Sequence, residues 1–171
     1  MEVQITSDIA TEPVSYAEMK AYLKLSNDVE QSLITEMIKS ARQLLEGYTN
    51  RSFGTKTIKV RWNEINGWQE LPYSPIISIT SMVNDEGDTL TYETRGLEVK
   101  QIQVFSTDGV IVQYQAGYSS LPSVLETAIK KQVATMYWNR ENYVIGESVN
   151  ELNDEAKEIC NRFSRNTLLG F

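Results

Sequence analysis

The segment Val110–Ala116 alternates between apolar and polar side chains. Val110, Val112 and Tyr114 occupy every second position, and successive side chains of a strand point to opposite faces of a sheet. Ala116-Gly117 then interrupts the alternation, since glycine tolerates a sharp change of backbone direction. The pattern therefore predicts a strand that ends at a tight turn.

After Pro122 the apolar residues recur every three to four positions, which is the spacing of an amphipathic helix. Ser123 and Glu126 have the S-x-x-E spacing of a capping box, in which each side chain accepts a hydrogen bond from a backbone N–H of the other residue. We therefore predict a helix over residues 123–145. Its apolar face contains Leu125, Ala128, Ile129, Val133, Met136 and Tyr137.

Two further helices are predicted between residues 15 and 50. Ser15 and Glu18 form another capping-box pattern before a short helix. Asn27 is positioned to cap a longer helix, which Thr49-Asn50 would end. The apolar positions of this longer helix are Val29, Leu33, Met37, Ala41, Leu44 and Tyr48, flanked by Ile34, Ile38 and Leu45.

Residues 56–115 read as β-rich. Lys56–Ile65 alternates, and Asn66-Gly67 predicts a hairpin that returns as Trp68–Leu71. A further strand is predicted at Ile76–Val83, and a turn at residues 84–88 leads from it into the strand Thr89–Thr94. The last of these strands is predicted at Leu97–Phe105, and we expect it to pair with Val110–Tyr114.

A last helix is predicted at Glu151–Phe163. The order of elements predicts an α+β fold, since helices and antiparallel strands are segregated along the chain. We expect a helical bundle built from the N- and C-terminal helices, with the central antiparallel β-rich segment projecting as a loop or hairpin. The predicted organisation is an N-terminal arm of residues 1–14, a domain of residues 15–146, and a C-terminal helix and tail of residues 147–171.

Composition narrows the class of protein. The 171 residues carry a net charge of −7, and Lys130-Lys131 is the only adjacent basic pair, so a domain that reads DNA sequence is disfavoured. No run approaches 18 apolar residues, and the N-terminus lacks a secretory signal pattern. We expect a soluble cytoplasmic protein with no membrane association. An acidic surface would also let nucleic acid pass without adhering, because like charges repel.

Candidate catalytic chemistry is sparse. The chain has no histidine, which is the most frequent general base and metal ligand. Cys160 lies on the predicted apolar side of a helix and is better interpreted as a small buried hydrophobic residue than as a nucleophile. We therefore expect no catalytic residue, no cofactor and no metal ion. Two other classes stay open: a metal-dependent hydrolase that uses carboxylates, and a regulatory or antitoxin-like interaction protein.

Two stretches near the C-terminus are candidate interaction sites. An acidic cluster is either the solvated face of a helix or a surface that lines a channel or faces a basic partner. It contains Glu151, Asp154, Glu155 and Glu158. The apolar tail residues Leu168, Leu169 and Phe171 either dock on a partner or pack on the protein's own helices. We expect the tryptophans Trp62, Trp68 and Trp138 in the core or at a subunit interface.

Six short motifs, in order, give the chain a resemblance to a known family. They are Pro13-Val14-Ser15-Tyr16-Ala17-Glu18, Tyr48-Thr49-Asn50-Arg51, Leu71-Pro72-Tyr73-Ser74-Pro75-Ile76, Asp85-Glu86-Gly87, Tyr114-x-Ala116-Gly117-Tyr118 followed by Leu121-Pro122 and Ala128-Ile129, and Tyr137-x-x-Arg140-Glu141. Over roughly residues 13 to 141 the chain resembles the head–tail connector (head-completion adaptor) family of long-tailed bacteriophages.

The resemblance implies a structural role and no reaction. A member of this family forms a ring of about twelve copies between the portal protein and a stopper or tail-completion protein. Double-stranded DNA passes through the lumen without sequence-specific binding, so the ring extends the channel and joins head to tail. The expected localisation is the virion, at the head–tail interface, after assembly in the bacterial host cytoplasm.

Overall fold

The computed structural model describes residues 1–65, 67–104, 109–139 and 152–164. Within them the chain has a mixed α+β fold with four helices and antiparallel sheets. The elements are β1 (Glu2–Ser7), α1 (Tyr16–Tyr22), α2 (Gln31–Thr49), β2 (Lys56–Trp62), β3 (Gln69–Glu70), β4 (Ile76–Asn84), β5 (Tyr92–Arg95), β6 (Gln101–Val104), β7 (Val110–Ala116), α3 (Ser123–Trp138) and α4 (Asp154–Asn161).

The chain divides into two compact units. The sheet unit contains Met1–Ala10 and Arg51–Ser120, and the helical unit contains Thr11–Asn50 and the described part of Leu121–Phe171. The predicted division at residues 14 and 146 stays a prediction. Among the described residues, no helix is long and apolar enough to span a membrane.

The larger sheet has the strand order β1-β2-β7-β4, and each neighbouring pair is antiparallel. Alternating residues of β2 and β7 are buried on one face, as the period of two predicts. Val60 of β2 lies opposite Val112 of β7, and both are fully buried. At the end of this face the Tyr114 hydroxyl donates a 2.8 Å hydrogen bond to the carbonyl oxygen of Pro72. Trp62 is in the same buried layer, as expected for a core residue.

Two of the predicted strand pairings are wrong, although most predicted strands form. Within the described residues β3 pairs with β6 and not with β2, so the expected pairing of residues 68–71 with 56–65 is wrong. β6 belongs to a second sheet of order β3-β6-β5, whereas β7 pairs with β2 and β4, so the expected pairing of residues 97–105 with 110–114 is also wrong. The predicted turn after β4 is present, where the N–H of Gly87 donates to the carbonyl of Asn84.

The N-terminal segment is extended, as its alternation predicts, and forms the edge strand β1. Farther along, the predicted capping box before α1 is confirmed. The backbone N–H of Ser15 donates to Glu18 at 2.8 Å, and the N–H of Glu18 donates to the Ser15 hydroxyl at 3.3 Å.

The helix α2 begins later than predicted, and its buried apolar residues are only part of the predicted set. Its N-cap is Glu30, and Asn27 instead accepts a hydrogen bond from the N–H of Val29 within the preceding turn. Val29 is 87% exposed and Leu33 is 38% exposed, so neither is a core residue. The buried apolar residues are Ile34, Met37, Ile38, Ala41 and Leu45. The helix ends as predicted, with Asn50 in the left-handed conformation at φ 52°.

The predicted capping role of Ser123 is wrong. Pro122 is the N-cap of α3, and Ser123 is already the first helical residue, so its side chain does not cap the helix. The predicted apolar face is confirmed in its buried positions, which include Leu125, Ile129 and Val133. α3 packs against both α2 and α4.

The predicted C-terminal helix is present as α4, and its first residues contact α3. The side chain of Asn153 caps α4 by accepting from the N–H of Ala156 at 3.0 Å. Asn153 also donates through its backbone N–H to Gln132 and through its amide to Thr135, each at 2.8 Å. These contacts fix the start of α4 beside α3.

Candidate interaction surfaces

The acidic residues of α4 are on its exposed side. Asp154, Glu155 and Glu158 are all exposed, while Ala156 and Cys160 face inward and are fully buried. This division follows from the helical period, which brings residues four positions apart onto one face. Glu151, the fourth predicted member, lies outside the described residues. The acidic surface of α4 therefore consists of three carboxylates.

Basic side chains reduce the charge of this surface. The ammonium of Lys131 on α3 donates to the carboxylate of Glu155, and this hydrogen bond raises the pKa of Lys131. Lys157 and Arg162 are exposed on the same part of the chain as the acids. Among the described side chains, Glu155 forms an ion pair whereas Asp154 and Glu158 do not, so the surface is less negative than its acidic sequence implies.

A cleft of about 540 Å³ lies between α2 and α4. Leu44 and Tyr48 of α2 line it, although their spacing had predicted core positions. Gly47 leaves it open, since a Cβ at this position would meet nothing within 4 Å. The Tyr48 hydroxyl donates to the side-chain oxygen of Asn161. The sequence signal that could have identified the cleft is this glycine, located inside a helix where alanine would be more stable.

Exposed aromatic residues form another surface of the helical unit. Trp138 at the end of α3 is 67% exposed and Tyr22 at the end of α1 is 45% exposed. Both line a hollow of about 320 Å³ beside the Lys131–Glu155 ion pair. The core interpretation of Trp138 is therefore wrong, and its alternative, a subunit interface, stays a prediction. Trp68, in the sheet unit, is half-buried beneath the guanidinium of Arg95, 4.3 Å from its ring centre.

The tail residues Leu168, Leu169 and Phe171 lie outside the described residues, so their docking role stays a prediction.

Cys160 is buried, as expected, and burial raises the pKa of its thiol to about 12. A thiol with this pKa is protonated near neutral pH and is a poor nucleophile. In the described ranges, no group of three or more His, Cys, Asp or Glu residues could hold a metal ion.

Solved structures share this fold over its whole length, whereas no protein-family model and no curated protein sequence matches the chain. A chain in the neck of an empty gene transfer agent (GTA) particle with C6 symmetry has a TM-score of 0.76 and 17% identity. A chain in the virion of a native GTA particle has a TM-score of 0.75 and 17% identity. A third, in the neck of the native particle with C12 symmetry, has a TM-score of 0.71 and 16% identity. Each comparison covers 100% of this chain and 99% of the other.

Proposed function

We propose that this chain is a structural protein of the neck of a bacteriophage or phage-like particle, where it forms an adaptor ring between portal and tail. The observation that carries the proposal is the fold likeness to GTA neck chains, which spans both chains almost completely. Insertions or missing elements would have reduced this coverage. The six connector motifs in the sequence point independently to the same class of protein.

The ring of about twelve copies would be built by head-to-tail contacts, which need two different complementary patches on each subunit. The aromatic hollow beside Trp138 in the helical unit is a candidate for one patch, and the β-rich segment is a candidate for the other. The β-rich segment would project toward a neighbouring copy or the next protein on the tail side. C6 and C12 symmetry in the neck structures with this fold supports a cyclic assembly.

Within that ring, the acidic surface of α4 would face the lumen through which double-stranded DNA passes. Negative charge there would repel phosphates and prevent adhesion without sequence-specific contact. The tail residues Leu168, Leu169 and Phe171 would dock on the portal or on the stopper or tail-completion protein, because short apolar segments bind grooves in this way. The protein would be assembled into the virion in the host cytoplasm and would catalyse no reaction.

The proposal is tested by deleting the gene in its phage or prophage and examining the lysate by electron microscopy. We expect DNA-filled or leaking heads beside separate, complete tails. A plasmid copy of the gene should restore joined particles. Normal tailed particles in the deletion strain would contradict the proposal.

The two predicted surfaces are tested by complementing the same deletion strain with variants. Removal of residues 167–171 should leave heads and tails separate if the tail docks on a neck partner. The double change Asp154→Lys and Glu158→Lys should leave particles joined but slow DNA ejection, because cations would bind passing phosphates. The matched control is Glu36→Lys, which adds the same kind of charge at an exposed position of α2. If the control and the double variant behave alike, the acidic surface does not line the channel.

A further inference from the structure

The strand β1 presents an unpaired edge. It pairs on one side with β2, and no backbone hydrogen bond within the described residues reaches its other side. All six of its residues are exposed. Such an edge carries a row of N–H and C=O groups that can pair with another strand.

The opposite edge of the same sheet is covered by the chain itself. Along β4, the N–H of Leu90 donates to the carbonyl of Met82 at 3.0 Å, and the N–H of Asn84 donates to the carbonyl of Asp88 at 3.0 Å. At the start of β4, the N–H of Ile76 donates to the carbonyl of Glu98 at 2.8 Å. Within the described ranges, therefore, the fold covers one edge of this sheet and leaves β1 open.

The apolar face of the sheet continues onto β1. Val3 is opposite Val60 and Ile5 is opposite Ile58, so these two side chains lie on the face that carries the core. Val60 and Ile58 are 0% exposed, whereas Val3 is 39% and Ile5 is 42% exposed. The core layer thus reaches the open edge without being covered there. Glu2–Ser7 contains neither a proline nor an inward-pointing charge, two of the usual protections of an edge, and its register with β2 shifts only after Ile5.

We propose that the occupant of this edge is β1 of a second copy of the chain, paired antiparallel about a two-fold axis at Gln4. In this register Gln4 is opposite the partner's Gln4, and Val3 is opposite the partner's Ile5. Directly opposed residues of antiparallel strands share a face. Each exposed apolar residue therefore meets an apolar residue of the other copy, on the core face of the joined sheet.

Charge also favours this register. Glu2 is the only charged residue of β1, and it would be opposite the partner's Thr6. No two carboxylates are opposed, so the like-charge repulsion that disfavours many self-paired strands is avoided. The pairing joins two four-stranded sheets into one of eight strands, with each chain using the same patch, as a two-fold contact requires.

The dimer is a form of the free protein. A two-fold contact uses the same patch on both copies, whereas neighbours in a ring of more than two copies are joined through two different patches. The β1 contact therefore cannot join neighbours in such a ring, and ring assembly would require the dimer to separate. This inference does not depend on the proposed function, since it concerns the purified chain alone.

Association is tested by sedimentation equilibrium of the purified full chain over a concentration series. We expect the wild-type chain to dimerise reversibly, and Ile5→Lys to weaken dimerisation by about tenfold or more, because it places a charge in the joined apolar layer. The matched control is Ile77→Lys on the covered strand β4, where Ile77 is 45% exposed. The control should dimerise like the wild type. Equal weakening in both variants, or a wild-type chain that stays monomeric throughout the series, would overturn the proposal.

The register is tested by disulfide formation at single introduced cysteines. Gln4→Cys should form a cross-linked dimer under mild oxidation, because the two sulfurs meet at the axis. Val3→Cys should not, since in this register the two copies of residue 3 are diagonal neighbours about 7–8 Å apart. The native Cys160 is buried and does not compete. Cross-linking that is equally fast at positions 3 and 4, or absent at position 4 while the variant remains folded by circular dichroism, would contradict this pairing.

Discussion

The helical unit and the sheet unit place their polar groups differently. In the helical unit Arg42 is fully buried, and its guanidinium donates to Glu46 at 2.7 Å and to Glu12 at 2.8 Å. In the larger sheet the apolar buried layer includes the neutral hydroxyl of Tyr114, and the buried ammonium of Lys56, at the start of β2, pairs at 3.2 Å with the partly exposed carboxylate of Asp8. A buried charge that loses its partner costs more than a buried hydroxyl does. The helical unit should therefore be the more sensitive of the two to a single polar substitution.

The largest effect is expected from Arg42→Met. The change leaves Glu46 buried without its guanidinium partner, which should cost about 3–5 kcal/mol of the free energy of unfolding. The control is Lys39→Met on the exposed side of the same helix, which should change stability by less than about 0.5 kcal/mol. Denaturant unfolding measures both values. Equal stabilities would mean that the ion pairs of Arg42 contribute nothing.

Tyr114→Phe should cost less. It leaves the buried carbonyl of Pro72 without its hydroxyl donor, at about 1–3 kcal/mol. Tyr92→Phe, at a partly exposed position of β5, is the control. Hydrogen exchange in the sheet unit should be faster than in the wild type for Tyr114→Phe and unchanged for Tyr92→Phe. If Tyr114→Phe destabilised the protein more than Arg42→Met, the comparison between the two units would be reversed.

A smaller effect is expected at the end of α2. Asn50 has a φ of 52°, a conformation that asparagine and glycine tolerate better than other residues. Asn50→Ala should therefore destabilise the helical unit by about 1 kcal/mol, whereas Asn50→Gly should be tolerated within about 0.5 kcal/mol. Thermal melting of the two variants distinguishes a conformational effect, which glycine rescues, from a side-chain effect, which it does not.

The smallest effect concerns pH. The backbone N–H of Ser15, then its hydroxyl and the ammonium of Lys130, lower the pKa of Glu18 from 4.5 to about 2. Because the pKa is lowered on folding, this stabilisation is complete above pH 4.5 and is lost as the pH falls toward 2. Glu18 is largely exposed, so solvent screening should keep the effect below about 1 kcal/mol. Unfolding curves of wild type and Glu18→Gln should converge across this interval; a constant difference would contradict the assignment.

Local motifs predicted helices well but their exact caps less well. Ser15 and Ser123 both begin an S-x-x-E pattern, yet only Ser15 caps its helix. A cap must be extended at the position before the helix, and in α3 that position belongs to Pro122. The periodic series in α2 began at Val29, which lies before the helix. The predicted series therefore included the exposed residues Val29 and Leu33 together with the residues that are buried.

The candidate surfaces were predictable only in part. The exposure of the carboxylates on α4 followed from their helical spacing, but the neutralising contact of Lys131 with Glu155 comes from another helix, 24 residues away. The open edge of β1 could not be found from its alternation, because Val3 and Ile5 have the pattern of residues in a covered strand. The cleft beside Gly47 likewise depends on where α4 lies against α2.

The sequence by itself determined the type and approximate extent of most elements, the α+β class and the absence of histidine chemistry. These properties depend on periods of 2 and 3.6 residues and on composition, which are local. The tertiary structure decided that β2 is located between β1 and β7, with a partner in β7 more than 40 residues away. Strand pairing is a choice among many apolar strands of similar pattern. The choice of partner depends on the packing of one shared face and on the loop closures that this packing requires. Neither can be read from a single segment of the sequence.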